Sequence, residues 1–251
     1  MQAGVYGQTR KSRAIILLGD IMYKYETHMH TAPVSRCGKA SVEESVAFYK
    51  ELGYDGIFIA NHFLDGSINI EWGKPYEEKI EFYFSDYEKA VEIGKKLGIK
   101  VFCGVEISYY GTDFLIYGLD KAWYLAHPEI MEMRKSQELE FLRENGALII
   151  QAHPFRQSAY IDHIRLFPKQ IHGVEIINGA RSKEENQMAK LLCEHYGLIP
   201  FAGSDNHKAD RHFRLAGVQC AEPVCDEQDF IQKVLSGQME VFTFKNEKML
   251  P

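Results

Sequence analysis

Short runs of apolar and β-branched residues alternate along this chain with longer segments in which apolar positions recur every three or four residues. That is the pattern of buried strands interleaved with amphipathic helices. An extended run opens the series, reaching His28 and His30 before it turns through Pro33 to Gly38. The segment 41–53, SVEESVAFYKELG, has Ser41 as an N-cap, acidic residues in its first turn, apolar Val42, Val46, Phe48 and Leu52, and a terminal glycine. Those features predict a helix. The run 54–62, YDGIFIANH, reads as a buried parallel strand. A helix is predicted over 75–97, a strand over 99–108 and, after a turn at Gly111, a strand over 113–119.

The rhythm then repeats. Residues 128–146 read as a helix with a glycine stop, 147–153 and 171–179 as strands, and 182–197 as a helix whose Ser182 and Glu185 form a capping box. A strand over 198–207, a helix over 227–237 and a strand over 240–244 complete the series. About seven strand–helix alternations in one chain predict a parallel α/β sheet closed into a single-domain barrel rather than an open doubly wound sheet. Neither G-x-G-x-x-G nor G-x-x-x-x-G-K-[ST] occurs, so a dinucleotide-binding or P-loop fold is not expected.

Composition narrows the partners. The 251 residues carry a net charge of -6, which disfavours binding a nucleic-acid polymer through bulk electrostatics and points to a small substrate. Cys37, Cys103, Cys193, Cys220 and Cys225 are scattered without C-x-x-C spacing, as expected of reduced thiols in a cytoplasmic protein. The apolar stretch 14–18 is too short for a secretory signal, and no segment is long and apolar enough for a membrane span. Residues 1–21 read as an extension outside the core fold, which is assigned to 22–251.

The chemistry collects where strands end. His28 and His30 stand two apart on an extended run, so they project to the same side. His62, Glu106, His153, Asp205 and His207 fall at the C-terminal ends of later strands, the face on which a (β/α) barrel builds its active site. Taken singly, each has an ordinary explanation as a packed histidine, a cap or a turn former. Their recurrence at successive strand ends is what points to metal. Imidazoles with carboxylates suit zinc, iron or manganese, and a carboxylate such as Glu106 can bridge two ions. Such a pair activates water and neutralises charge on phosphoryl oxygens. His127, His163, His172, His195 and His212 fall away from this face.

The ordered set ETHMHT, GIFIANH, GVEIS, IIQAHPFR and GSDNH resembles the PHP (polymerase and histidinol phosphatase) superfamily over about residues 22–222. The resemblance implies a distorted (β/α)7 barrel with two or three divalent ions (Mn, Fe or Zn). It implies that His28, His30, Glu106 and Asp205 hold the first ion, that Glu106 and His153 hold the second, and that His62 and His207 help hold a third. The sequence departs from the family pattern at three places. Ser35 and Arg36 stand where a third-ion ligand is usual, leaving Cys37 as the candidate; Asp113 is the nearest candidate for a further second-ion ligand; and Asn61 replaces an aspartate. Arg156, Arg181, Lys208 and Arg36 are candidate phosphate contacts.

The expected activity is hydrolysis of a small phosphate monoester or nucleotide-type phosphate by metal-activated hydroxide, with Glu106, Asp205 and His207 as the catalytic residues. Hydrolysis of a carbon–nitrogen bond and a non-catalytic metal-binding module are the alternatives. Nothing in the chain resembles a polymerase domain or a DNA-tracking groove.

Overall fold

A computed structural model describes residues 22–209 and 214–245; the expected extension at 1–21 and His212 lie outside the described residues. The elements run β1 (Tyr23–Met29), α1 (Val42–Glu51), β2 (Gly56–Ile59), α2 (Tyr76–Leu97), β3 (Lys100–Tyr109), β4 (Thr112–Tyr117), α3 (Lys121–Ala126), α4 (Lys135–Glu144), β5 (Leu148–Ala152), β6 (Gly173–Asn178), α5 (Lys183–Tyr196), β7 (Ile199–Gly203), β8 (Arg214–Cys220), α6 (Glu227–Leu235) and β9 (Glu240–Lys245). The sheet order is β7-β6-β5-β4-β3-β2-β1-β8-β9. Past the end of β7, His30 N donates to Asn206 O at 2.9 Å and Asn206 N to His28 O at 3.3 Å. Thr27 Oγ1 donates to Ala202 O at 2.6 Å. These bonds bring β7 onto β1 and leave a nearly closed, distorted barrel of β1 to β7, with β8 and β9 as a flap on the start of β1.

The uniformly parallel sheet expected from the alternation is corrected at one strand inside the barrel. β4 runs antiparallel to both β3 and β5. Tyr110 (φ 48°) and Gly111 (φ 81°) make the link, a two-residue turn with both φ positive, and such a turn can only return the chain antiparallel. The helix expected over 128–146 is also divided. Pro128–Glu132 forms a 3₁₀ turn, Met133 is extended (ψ 148°), and α4 starts beyond it. An unanticipated α3 precedes them, its Trp123 N donating to the Asp120 side chain at 2.8 Å. β8 escaped the hydrophobic reading because its middle is small. At Gly217 a Cβ would stand 2.2 Å from Tyr25 O, so glycine is what lets β8 lie against β1.

The capping box expected at Ser182/Glu185 forms, and Ser41, expected as an N-cap, forms a second capping box with Glu44. α2 buries Ile80, Tyr83, Phe84, Ala90 and Gly94 along one stripe against the sheet. Inside the barrel, Phe58 lies 4.9 Å from Phe102, 5.0 Å from Tyr117 and 4.4 Å from Phe230 between ring centroids. Phe230, Ile231 and Val234 of α6 join residues at the starts of β1, β3 and β5, so α6 plugs the end where those strands begin. The opposite end is left for chemistry. Phe58→Ala is expected to cost about 3–5 kcal/mol of unfolding free energy, measured by denaturant titration, because the ring is wholly buried among aromatic neighbours. Among the described residues no helix is long and apolar enough to cross a membrane.

Candidate metal centre

Every donor at the open end arrives through backbone geometry. His28 lies on β1 and His30 just beyond it; Glu106 lies on β3; His153 follows β5, and Asp205 and His207 follow β7. His62 pairs with Glu106 across the end of β2, where Glu106 N donates to Asn61 O at 3.0 Å. The reversal of β4 places the beginning of that strand at this end, which is why Asp113, opposite Ala152 in the ladder, belongs to the group. His153 (φ 27°) and Asp205 (φ 53°) are non-glycine residues in the left-handed region. Strain of that kind persists where the surroundings over-determine a side chain's position.

Glu106 is the centre and is fully buried. Its Oε1 stands 3.2 Å from His28 Nε2 and 3.5 Å from His153 Nε2. Its Oε2 stands 2.8 Å from His62 Nδ1 and 3.4 Å from His30 Nε2. Asp205 Oδ1 lies 3.4 Å from His30 Nε2, and Oδ2 lies 3.9 Å from His153 Nε2. His28 Nε2 and His30 Nε2 are 3.2 Å apart, two ring nitrogens turned toward one point. Among the described residues four donor groups result: His28/His30/Glu106, His28/His153/Asp205, Glu106/Asp113/His153 and His30/Cys37/His62/His207.

The donors fit divalent metal. Both Glu106 oxygens and Asp113 Oδ2 are buried without a well-formed hydrogen bond among the described residues. Buried carboxylate oxygens rarely stay unsatisfied unless an ion completes them. The imidazole–carboxylate mixture is the donor set of zinc, iron and manganese.

The buried carboxylates draw positive charge into the cluster. Burial opposes a charge on Glu106, yet His62, His28 and His30 outweigh it and hold the carboxyl well below its usual range. Burial likewise opposes charge on His28, but Glu175, Glu106 and Asp205 raise its pKa well above normal. For His30, burial and then the charge of His207 push the pKa down to about 3, favouring the neutral imidazole that a metal requires. Burial pushes the Cys37 thiol up, but hydrogen bonds from His207 and His62 bring it down to about 6.

The sequence reading missed the residues behind the donors. Glu175 Oε1 lies 2.9 Å from His28 Nδ1, which fixes Nε2 as the nitrogen facing the cluster; its Oε2 accepts from His153 N at 3.0 Å and Asn178 Nδ2 at 2.9 Å. A lone acid inside the apolar strand 171–179 was the available signal. Glu175→Gln should weaken metal binding about 10–100-fold, measured by competition with a fluorescent chelator, because partners that orient ligands carry effects of that size. Glu26, also buried, accepts from His28 N at 2.9 Å and Ser204 N at 3.0 Å. Asn61 serves the loop after His30: its Oδ1 accepts from Thr31 N at 2.8 Å and Ser35 Oγ at 2.9 Å.

A cavity of about 710 Å³ opens over the cluster; Cys37, His62, Glu106, Asp113, Asp205 and His207 form its floor. Arg156 and Arg181 line it as well. Arg156 Nη1 is 3.3 Å from Asp113 Oδ2, and Arg181 Nη2 is 3.6 Å from Asp205 Oδ2. Arg36 is instead exposed, with Nη2 donating to Ile68 O at 3.1 Å. Lys208 lines a separate hollow with Lys39, Glu44 and Phe48. Of the four expected phosphate contacts, the fold therefore brings two to the cluster. His127, His163, His172 and His195 join none of the donor groups found among the described residues.

No protein-family model matches the sequence, and no curated protein is similar to it in sequence. Solved structures do match. A two-domain protein from Bacteroides vulgatus, described as containing a predicted PHP-like metal-dependent phosphoesterase, aligns with TM-score 0.62 and 18% identity over 88% of this chain and 65% of its own. This chain thus spans less than two thirds of that protein's length. PsfC from Pseudomonas syringae PB-5123 aligns with TM-score 0.59 and 14% identity over 91% and 93% of the two chains. A protein from Bifidobacterium adolescentis described as a metal-dependent phosphoesterase aligns with TM-score 0.52 and 13% identity over 84% and 95%. At these identities the likeness shows a shared fold.

Proposed function

We propose that this chain, which shares the distorted barrel fold of PHP-like proteins, is a metal-dependent phosphoesterase acting on a small phosphorylated substrate. The observation that carries this reading is Glu106: a buried carboxylate facing four imidazoles, its two oxygens without well-formed hydrogen bonds among the described residues, under a cavity that two arginines line. His28, His30, Glu106 and Asp205 would hold one ion; Glu106, His153 and Asp113 would hold a second. Bound divalent ions supply Lewis acidity toward water and toward phosphoryl oxygens.

The remaining work falls to the protein. Arg156 and Arg181 offer forked donors that match phosphate oxygens, and their Nε atoms have no hydrogen-bond partner among the described residues. Their present neighbours, Asp113 and Asp205, hold the guanidinium groups beside the donors, so an incoming phosphate meets cation and cluster together. The two arginines favour an anionic substrate over a neutral amide. Cavity volume and the chain's net charge of -6 favour a metabolite-sized substrate over a polymer.

The test is a turnover panel on the full chain, stripped and reloaded with manganese or zinc. Phosphate release from phosphorylated metabolites, lost on chelation and restored by metal, is the expected result. Hydrolysis of amides without phosphate release would move the activity to carbon–nitrogen bonds. A full metal load with no turnover on either class would leave a binding module.

A further inference from the structure

Tyr110 sits against the preferences of its own backbone. It is 75% exposed and holds φ at 48°, a left-handed conformation that a bulky aromatic residue rarely adopts. As the first residue of its two-residue turn it stands where asparagine or glycine is favoured. Neither the turn nor the core calls for a large ring there. Unfavourable backbone of this kind collects where a side chain has a task.

Two hollows meet at this ring. Tyr110, Asp65 and Ser108 line the cavity over the metal cluster and also a second hollow, of about 650 Å³, beside it. The charged groups of the second hollow are engaged with one another. Lys135 Nζ stands 2.8 Å from Asp65 Oδ2 and 2.7 Å from Glu138 Oε2, and Asp65 Oδ1 accepts from Ser108 N at 3.0 Å. Apart from Arg134 and Ser136, the rest of the lining is apolar: Tyr109, Tyr110, Ile130, Met131, Met133 and Phe167. Arg165 braces the tyrosines, its Cζ 5.5 Å from the Tyr110 ring centroid and 6.0 Å from that of Tyr109, while its Nη1 donates to Tyr110 O at 3.1 Å.

Hydrolysis of a phosphate monoester joins the oxygen of water to phosphorus, breaks the P–O bond to the alcohol and leaves a proton on the departing oxygen. With the phosphoryl group between the cluster and the two arginines, the alcohol needs a place of its own. Resting on the phosphoesterase reading, we infer that the second hollow receives that alcohol, that Tyr110 determines specificity, and that the substrates are phosphate monoesters of bulky, apolar alcohols. Apolar and aromatic surface withdrawn from water against Tyr110, Met133 and Phe167 supplies the preference. A hydroxyl-rich alcohol gains less there, because the buried charges already hold one another and leave its hydroxyls unpaired.

The test compares 4-phenylbutyl phosphate with ethyl phosphate, two alkyl esters of similar leaving-group basicity, in initial-rate measurements on the metal-loaded full chain. The wild type is expected to favour the phenylbutyl ester at least about tenfold in kcat/KM, the discrimination that apolar contacts supply. In Tyr110→Asn, a residue suited to the left-handed turn, the ratio falls toward one, and in Met133→Gln, on the facing segment, it falls as well. Tyr196→Ser, which removes an exposed ring from α5, keeps the ratio. A wild-type ratio near one, or a high ratio retained in either Tyr110→Asn or Met133→Gln, overturns the alcohol site while leaving the phosphoesterase reading intact. No phosphate release from either ester overturns the phosphoesterase reading and this inference with it.

Discussion

Glu106→Gln is expected to lower turnover at least about a thousandfold and to strip the protein of most of its metal, although the two side chains are nearly the same shape. A thousandfold corresponds to about 4 kcal/mol, within the several kcal/mol that metal-derived charge stabilisation contributes. The carboxylate stands within 3.5 Å of His28, His30, His62 and His153 together. An amide in its place removes the charge that balances bound cations and turns an N–H donor toward imidazole nitrogens that must present lone pairs. Steady-state kinetics and metal analysis on the same sample check both halves. Loss of activity with full metal retention would place Glu106 outside the ligand set.

Arg181→Ala and Arg156→Ala carry the second large effect. Each is expected to raise KM for a phosphate monoester about 10–100-fold, as loss of a charge-assisted hydrogen bond of about 1.5–3 kcal/mol implies. Lysine should restore little, because a point charge cannot reproduce the planar fork. Initial-rate measurements over a substrate series separate KM from kcat. If KM for phosphate esters is unchanged in both variants, the cationic wall has another purpose and the phosphoester assignment loses its support.

Much of this was legible in the sequence because the relevant signals are local. A capping box such as Ser182/Glu185 lies within one helical turn, and the strand-end donors announce themselves through residue type and position. The structure brings His28, His30, His62, Glu106, His153, Asp205 and His207 into mutually adjacent donor groups, with Cys37 and Asp113 among them. What stayed hidden depends on tertiary context. The reversal of β4 hinges on two positive φ angles at Tyr110 and Gly111, and a periodic pattern carries no strand direction. Glu175 looked like an interruption in an apolar strand; its purpose appears only when His28 and His153, 147 and 22 residues away, fold against it. Arg36 and Lys208 show the limit of this signal. Nearness in sequence to a ligand does not fix where a long side chain ends: Arg36 Nη2 donates to Ile68 O, and Lys208 lines a separate hollow.

The central claim is that the buried carboxylate–imidazole cluster exists to hold divalent metal. The most direct measurement is anomalous diffraction from crystals of the full chain grown after reloading with manganese and zinc. Anomalous peaks among His28, His30, Glu106, His153 and Asp205, vanishing in Glu106→Gln crystals of unchanged fold, are the predicted result. A well-ordered cluster with no anomalous density at saturating metal would contradict the account.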